Sequence, residues 1–333
     1  MKNLFNNYNF LKSNKVIFLV IIAVCFAFIG VYNKNIFLPI FLKNKTSFQK
    51  VKTSAGLVSV LASPTSSPIP TNVPTNSPTP TSTPTPLPTL IPTKPPSTNN
   101  VPPAAGYSRQ TVQTDTGAFI VDIISADLNS TRVIVDTASD SDCLNNCPTL
   151  SLSTYAGRNS AFAGINGSFF CPTEYPDCAG KTNSFDTLLM NKNKVYFNSA
   201  NNVYSTVPAA IFKDNWARFV EKSLEWGRDT SVDSVIAMQP LLVFNNQIVY
   251  NGGDNGKFNS KGLRSFIGAT GNTVYIGIIS NATMNDSARV LHALSITNAL
   301  NLDEGGSTAL WYGGNYIFGP GRNIPNAVLF VRK

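Results

Sequence analysis

Histidine is almost absent from this chain of 333 residues, in which His292 is the only one. Zinc hydrolases that hold their metal with paired histidines on a helix are therefore excluded, as are most histidine-rich metal sites. A Ser-His-Asp triad would have to use His292, which lies between Leu291 and Ala293 in a helical apolar pattern. A histidine there is more often a packed or half-exposed helix residue than a catalytic base, so its role stays open.

Acidic residues are missing from the first 104 positions, although the chain carries 18 of them. The first 104 residues hold nine lysines, whereas the rest of the chain carries 17 Lys and Arg against all 18 Asp and Glu. A nucleic-acid binder places its cations on the folded face that meets phosphate, so this class is excluded. Lysines beside an apolar segment suit anionic lipid headgroups instead.

A run without charge at residues 16–32 is close to the shortest length that spans a bilayer. Lys12 and Lys15 precede it, as at a cytoplasmic flank, but Lys34, Lys43 and Lys45 follow it, so the cation count alone does not fix the orientation. The cysteine pairs and the proline-rich segment favour a C-terminal side outside the cell. No small-x-small cleavage site follows closely, so an uncleaved anchor is favoured over the alternative, a signal peptide. The prediction is a single-pass membrane protein with residues 1–15 in the cytoplasm, a juxtamembrane segment at 33–62 and its C-terminal part extracytoplasmic.

Residues 63–103 form a segment of biased composition, in which 30 of 41 residues are Pro, Ser or Thr. Such a segment cannot bury a core and favours extended polyproline geometry. At about 3.1 Å per residue it would reach roughly 130 Å. Lys94 is the only charged residue of this segment, whereas proline-rich ligands of recognition domains carry accompanying basic residues, so we predict a disordered stalk that leads to a folded domain at residues 104–333.

Five cysteines occur, of which Cys25 lies inside the apolar run and is expected to act as a small hydrophobe. The other four form two close pairs, Cys143 with Cys147 and Cys171 with Cys178. In an exported domain an even set favours two disulfides, and of the three pairings the two local loops are preferred. The alternative is a four-thiolate zinc site, but zinc pairs usually have a tighter spacing.

The folded domain is predicted to be α+β, a strand-rich mixed sheet with a few helices. Alternating apolar residues and turn signals predict its strands and hairpins. The predicted strands are residues 118–124, 132–136, 161–166 and 299–302, with hairpins of 234–244 with 247–250 and of 265–269 with 273–279. The predicted helices are residues 150–158 and 286–297, the second with Asn285 or Ser287 as its cap.

Two polar, glycine-containing loops each follow a predicted strand, at residues 163–170 and 301–308. In the first, Asn166 and Gly167 stand where the strand stops. In the second, two carboxylates, two glycines and two hydroxyls occupy one turn, and amides next to the glycines would suit an anionic oxygen. Each loop alone is more simply explained as an ordinary tight turn.

Read together with residues 262–268 and 321–326, the two loops resemble motifs of the phosphodiester glycosidase family, in the same order along the chain. The Asn-Gly-x-Phe-Phe and Asn-Leu-Asp-x-Gly-Gly-Ser segments are the most distinctive, and residues 239–243 resemble the family's strand before its arginine motif. The resemblance covers about residues 112–333. The family usually has glycine where this chain has Glu304, a side chain that narrows the pocket or adds a second carboxylate.

The resemblance implies hydrolysis of a sugar C1–O bond with phosphate as the leaving group. Phosphate leaves readily, so a strong general acid is needed less than in ordinary glycoside hydrolysis. Asp303 is then the candidate base or nucleophile, and the alternative for it is a turn-capping carboxylate. Asn166 is expected to orient the substrate, and Glu304 is the third candidate catalytic residue. Phosphate or substrate binding is expected at Arg264, Gly167, Gly305, Gly306, Ser307 and Arg322. For Arg264 the alternative to a bidentate phosphate clamp is a structural ion pair.

No cofactor is expected, although Asp186 or Asp254 would suit calcium through their oxygens. The predicted function is that of a membrane-anchored exofacial glycosidase acting on sugar-1-phosphodiesters of envelope glycans or exopolysaccharide. The alternatives are a non-catalytic glycan-binding module and a surface adhesin. The catalytic hypothesis requires that Asn166, Asp303 and Arg264 meet at one cleft.

Overall fold

The structure is a computed structural model that describes residues 98–200 and 205–333. The predicted cytoplasmic segment, the anchor at 16–32, the juxtamembrane segment and residues 63–97 of the predicted stalk lie outside the described residues. Within the described ranges, no helix has the length and apolar character needed to cross a membrane. The anchor and the stalk therefore remain predictions.

The described residues contain seventeen strands, three α-helices and three 3₁₀ turns. Numbered along the chain, the strands are β1 (Gly106–Thr114), β2 (Gly117–Asp127), β3 (Thr131–Thr137), β4 (Ala163–Asn166), β5 (Leu189–Met190), β6 (Tyr196–Phe197), β7 (Ala209–Lys213), β8 (Trp216–Val220), β9 (Ser234–Ala237), β10 (Leu241–Phe244), β11 (Gln247–Ile248), β12 (Gly262–Thr270), β13 (Thr273–Ala282), β14 (Asn298–Asn301), β15 (Leu310–Tyr312), β16 (Asn315–Phe318) and β17 (Asn326–Arg332). The helices are α1 (Leu152–Arg158), α2 (Gly256–Asn259) and α3 (Met284–Ala293).

These strands form three sheets, of order β1-β2-β13-β12-β14-β10-β11, β16-β15-β4-β17-β3 and β6-β5-β9-β7-β8. The α+β class is confirmed, but the single mixed sheet is wrong, because every pairing between these strands is antiparallel. Helix α3 connects β13 to β14, and these two strands run in the same direction. Strand β12 lies between those two and opposes both, so each contact stays antiparallel.

The two predicted hairpin turns are present. Asn245 and Asn246 connect β10 to β11 with φ of 49° and 62°, the left-handed values that two-residue hairpin turns require. The predicted strand at residues 234–244, however, is two strands in different sheets, β9 and β10. Pro240 lies between them and has no amide hydrogen to donate to a ladder, so the pairing is interrupted there.

Helix α3 begins and ends earlier than predicted. Its cap is Thr283, whose hydroxyl accepts from the Asp286 amide at 3.1 Å while the Asp286 carboxylate accepts from the Thr283 amide at 3.0 Å. The predicted caps, Asn285 and Ser287, are therefore wrong. Ser287 instead lies inside the helix and donates to the Thr283 carbonyl at 3.0 Å.

One apolar core joins the three sheets and fixes where the strand ends lie. It contains Ile276 and Leu300 of the first sheet, Ile165 and Phe330 of the second, and Phe212 of the third. Interiors are packed at close to crystal density, so strands anchored in such a core hold the loops at their ends in fixed relative positions.

Two local disulfides are confirmed, Cys143–Cys147 and Cys171–Cys178, with Cα–Cα distances of 5.7 and 5.3 Å. The pairing leaves none of these four thiols free to bind zinc. The Cys171–Cys178 bond closes a short loop directly after β4 and the first glycine-containing loop.

Candidate active site

The two glycine-containing loops meet in space, as the sequence predicted. The first follows the end of β4 at Asn166, and the second follows the end of β14 at Asn301. The Asp303 amide donates to the Gly167 carbonyl at 2.9 Å, and the Asn166 side-chain amide donates to the Asp303 carbonyl at 2.6 Å. Asp303 is therefore held at the junction of the first and second sheets.

Asn166 is fully buried and serves this junction. Its Oδ1 accepts from the Ala309 amide at 3.1 Å and from the Ser265 hydroxyl at 3.2 Å, while its Nδ2 donates to Asp303. The side chain does not line the cavity beside Asp303. In this geometry Asn166 positions the Asp303 loop, and its predicted contact with substrate stays a prediction.

Gly167 allows a close approach between strands. A Cβ atom on Gly167 would lie 1.7 Å from Oδ1 of Asn326, which accepts from the Ser168 amide at 3.0 Å. The position must therefore be glycine if β17 is to pack beside the loop. Gly167 lies behind the cavity rather than in its wall.

A cavity of about 810 Å³ opens beside Asp303. Its volume falls within the usual range of small-molecule sites, about 300–1,000 Å³. Six of the residues predicted from the sequence line it, namely Arg264, Asp303, Glu304, Gly305, Ser307 and Arg322. Asn166, Gly167 and Gly306 do not. Arg264 and Asp303 thus share one cleft, whereas Asn166 does not line it and contacts Asp303 through the backbone carbonyl.

Asp303 is 9% exposed, and burial raises the pKa of its carboxyl from 3.8 to about 7. Hydrogen bonding from Ser307 and from the Glu304 amide, at 2.9 Å from Oδ1, opposes this rise, as does the charge of Arg322. A carboxyl in this condition exchanges its proton near neutral pH, which suits an acid or base.

Arg264 is almost fully buried and all three of its guanidinium nitrogens are engaged. Nε donates to the Ala282 carbonyl at 2.9 Å, Nη2 to the carbonyls of Lys257, at 2.9 Å, and Ser260, and Nη1 pairs with Glu304. These contacts are those of a structural ion pair, the alternative considered for this residue. Its role as a phosphate clamp stays a prediction.

Glu304 is partly buried and lies beside Arg264 at the cavity wall. Burial raises the pKa of its carboxyl, and the hydrogen bond and charge of Arg264 and the charge of Lys257 oppose that rise. The Glu304 carboxylate is thus tied to Arg264.

Arg322 lies across Gly306. The Arg322 amide donates to the Gly306 carbonyl at 2.8 Å, and a Cβ atom on Gly306 would lie 2.2 Å from Nη2 of Arg322. Its guanidinium lies 3.2 Å from the Glu174 carboxylate, and its charge opposes the rise in the pKa of Asp303.

Several cavity residues were not predicted from the sequence. They are Phe169, Phe170, Tyr175, Gln239, Lys257, Phe258, Ser260 and Leu263, with the disulfide loop at residues 171–178. The rings of Phe169 and Phe258 are stacked, with centroids 6.5 Å apart. Phe169, Phe170, Gln239 and Leu263 lie in segments that carry the family resemblance, although no role was predicted for them. The disulfide loop follows the first glycine-containing loop at once, which was the signal available for Tyr175. Lys257 lies in a polar stretch with no recognisable pattern.

The remaining candidate residues, Asp186, Asp254 and His292, lie in different parts of the structure. Asp186 lines the cavity, and partial desolvation raises the pKa of its carboxyl. Asp254 is exposed and lies outside the cavity. Across residues 98–200 and 205–333, no three His, Cys, Asp or Glu side chains come together as a metal site. His292 is exposed and borders a separate cavity with Asp115 and Arg289.

Comparison with known proteins gives one family and distant structural relatives. The model of the phosphodiester glycosidase family matches residues 159–331, more than half of the chain. No curated protein matches the sequence.

Among solved structures, the zebrafish N-acetylglucosamine-1-phosphodiester α-N-acetylglucosaminidase catalytic domain is 15% identical, with a TM-score of 0.54 over 72% of this chain and 87% of that one. At this identity the likeness concerns the fold alone. A hypothetical protein from Synechocystis is 14% identical, with a TM-score of 0.49 over 68% of this chain. This chain spans 62% of the length of the Synechocystis protein.

Proposed function

The chain belongs to the phosphodiester glycosidase family, and from this membership and the cavity at Asp303 we propose that it hydrolyses the C1–O bond of sugar-1-phosphodiesters. The observation that carries the proposal is Asp303 itself. A buried carboxyl with a pKa of about 7 lies in the wall of a substrate-sized cavity that also contains arginine and lysine side chains. Perturbed carboxyls in clefts are frequent at catalytic sites.

In the proposed reaction the Asp303 carboxylate acts as a general base. It accepts a proton from a water molecule, and the water oxygen forms a bond to the anomeric carbon. The C1–O bond to phosphate breaks, and its electron pair stays on the phosphate oxygen. The products are the free sugar and a phosphomonoester. Cationic side chains that hold the phosphate stabilise the charge that grows on the leaving oxygen.

The location is the second part of the proposal. The apolar run at residues 16–32 and the proline-rich segment support a membrane anchor with a stalk. The two disulfides support an oxidising, extracytoplasmic environment. The substrates we propose are therefore the sugar-1-phosphodiesters of envelope glycans or exopolysaccharide outside the cell.

The test is hydrolysis of a panel of sugar-1-phosphodiesters by the purified full-length protein, with sugar release measured from pH 5 to 9. The kcat/KM should rise with pH through about 7, because the base form of Asp303 is required. Asp303→Asn should lower kcat by at least about a hundredfold, at the lower end of the contribution of a general base. Asp254→Asn, at an exposed site outside the cavity, should leave the rate unchanged.

The stereochemical outcome separates two roles for Asp303. Direct attack by water inverts the anomeric carbon, whereas retention would indicate that Asp303 is the nucleophile. Full hydrolysis by folded Asp303→Asn would contradict both roles. Glycan binding without turnover in the parent protein would instead support the glycan-binding module.

A further inference from the structure

Three cationic side chains line the cavity, and their availability to a ligand differs. Arg264 is 3% exposed, and its nitrogens are occupied by Glu304 and three backbone carbonyls. A guanidinium in this state would have to abandon a buried carboxylate to bind phosphate, and leaving a buried charge unpaired is costly. Lys257 and Arg322 therefore remain as the accessible cations.

Lys257 is exposed and is one of the residues that line the cavity. Across the described ranges it forms no ion pair with a carboxylate. Its Nζ lies 5.1 Å from the centroid of the Tyr175 ring, and its charge helps to lower the pKa of Glu304.

Arg322 approaches the same tyrosine. Its Cζ lies 5.9 Å from the Tyr175 centroid, and its charge acts on Asp303. Its acidic partner, Glu174, has a side chain that is 61% exposed, and an exposed ion pair of this kind contributes little to stability. An incoming anion can therefore replace Glu174, which is free to turn toward solvent.

Tyr175 is held in place by the disulfide loop. The Tyr175 amide donates to the Pro172 carbonyl at 3.2 Å, and the Cys178 amide donates to the Tyr175 carbonyl at 2.9 Å. The Cys171–Cys178 bond closes the loop around them. An aromatic ring attracts cations to its face, so the Tyr175 ring is a common neighbour of the two positive groups.

We propose that the phosphate of the substrate binds between Lys257 and Arg322 over Tyr175, and that Arg264 is a positioning residue. Arg264 holds Glu304 and, through two carbonyls, the segment that carries Lys257. Guanidinium binds phosphate in a bidentate manner, and lysine adds a point charge. Because Arg322 also faces Asp303, phosphate bound there presents the neighbouring sugar carbon to the carboxyl. This inference rests on the proposed phosphodiester substrate.

The test measures inorganic phosphate binding to the full-length protein by titration calorimetry, which does not depend on turnover. Lys257→Gln and Arg322→Gln should each weaken binding about ten- to a hundredfold, the usual cost of a lost charge-assisted hydrogen bond. Lys257→Arg, which keeps the positive charge, should retain most of the parent protein's phosphate affinity. Lys261→Gln is the matched control, because Lys261 lies exposed on the same segment outside the cavity.

The double variant Arg264→Gln/Glu304→Gln removes both charges of the buried pair at once. A loss of phosphate affinity no larger than that in Lys257→Gln supports the positioning role, because Arg264 then acts only through the segment that carries Lys257. A larger loss would assign the phosphate to Arg264 and overturn the inference. Unchanged affinity in Lys257→Gln would also overturn it.

Kinetics separate this inference from the proposed function. In Lys257→Gln, KM for a phosphodiester should rise while KM for a neutral aryl glycoside of the same sugar stays constant. If the parent protein hydrolyses no phosphodiester but its phosphate binding depends on Lys257 and Arg322, the proposed function fails and the binding site stands.

Discussion

Replacing Asp303 by Asn should stabilise the protein above neutral pH. In the folded state burial raises the pKa of the Asp303 carboxyl to about 7, against 3.8 when it is exposed in the unfolded chain. Between these two values the unfolded state has already lost the proton that the folded state still binds. The free energy of unfolding of the parent protein therefore falls as pH rises from about 4 to about 7.

The magnitude follows from the size of the pKa difference. A difference of about 3 pH units corresponds to as much as about 4 kcal/mol, at about 1.4 kcal/mol per unit. Asn has the shape of the neutral carboxyl and keeps an oxygen that accepts from the Glu304 amide. Near pH 4 the free energies of unfolding of the variant and the parent should therefore be similar. By pH 8 the free energy of unfolding of the variant should exceed that of the parent by up to this amount.

The assay is urea unfolding of parent and Asp303→Asn at pH values from 4 to 9, because comparison of the two proteins cancels the titration of other groups. Asp254→Asn, at an exposed site, should show no gain. A stability difference that stays constant across this range would refute the raised pKa of Asp303. A variant less stable than the parent at pH 8 would show that the charged carboxylate contributes favourable contacts in the folded state.

Three further variants test the proposed phosphate site and its surroundings. Replacing Cys171 and Cys178 by Ser should lower the free energy of unfolding by about 2–3 kcal/mol, from the entropy of so short a loop, and should weaken phosphate binding because Tyr175 is freed. Replacing Cys143 and Cys147 by Ser should also destabilise the protein but leave phosphate affinity unchanged, and calorimetry would distinguish the two. Gly306→Ala should leave the melting temperature nearly unchanged, because the obstructing atom is the flexible end of Arg322, yet weaken phosphate binding about tenfold. Unchanged affinity in that variant would contradict a phosphate contact by Arg322.

The local features of the fold were predictable because their signals are local. Asn245 and Asn246 adopt the left-handed conformations that their type favours, and α1 begins two residues from the predicted start. The two disulfides pair neighbours in the sequence. Each of these elements depends on residues within a few positions of one another.

The distribution of strands among sheets could not be predicted in the same way. Residues 234–244 have the apolar pattern of one strand, yet β9 and β10 enter different sheets because the shared core of the three sheets decides where each packs. Partners in a sheet lie far apart in the sequence, and a hydrophobic pattern specifies a buried face without specifying the neighbouring strand.

The candidate site likewise contains some residues that the sequence indicated and others that it did not. Asp303, Glu304 and Arg322 occur in motifs, so the sequence indicated them. Tyr175 and Lys257 meet only in three dimensions, through a disulfide loop and a short helix that lie 82 residues apart. Whether an arginine is free or engaged likewise depends on carbonyls from other segments, and sequence motifs carry no information about that.

The hydrogen bonds of Asn166 make the formation of the candidate site depend on the packing of several strands. One carboxamide connects the ends of β4 and β14 to the residues before β15 and to β12. If any of these segments separates from the others, the backbone that carries Asp303 loses its support. Turnover would then require the assembly of strands from two sheets, and a simple activity measurement would report on the integrity of the whole domain.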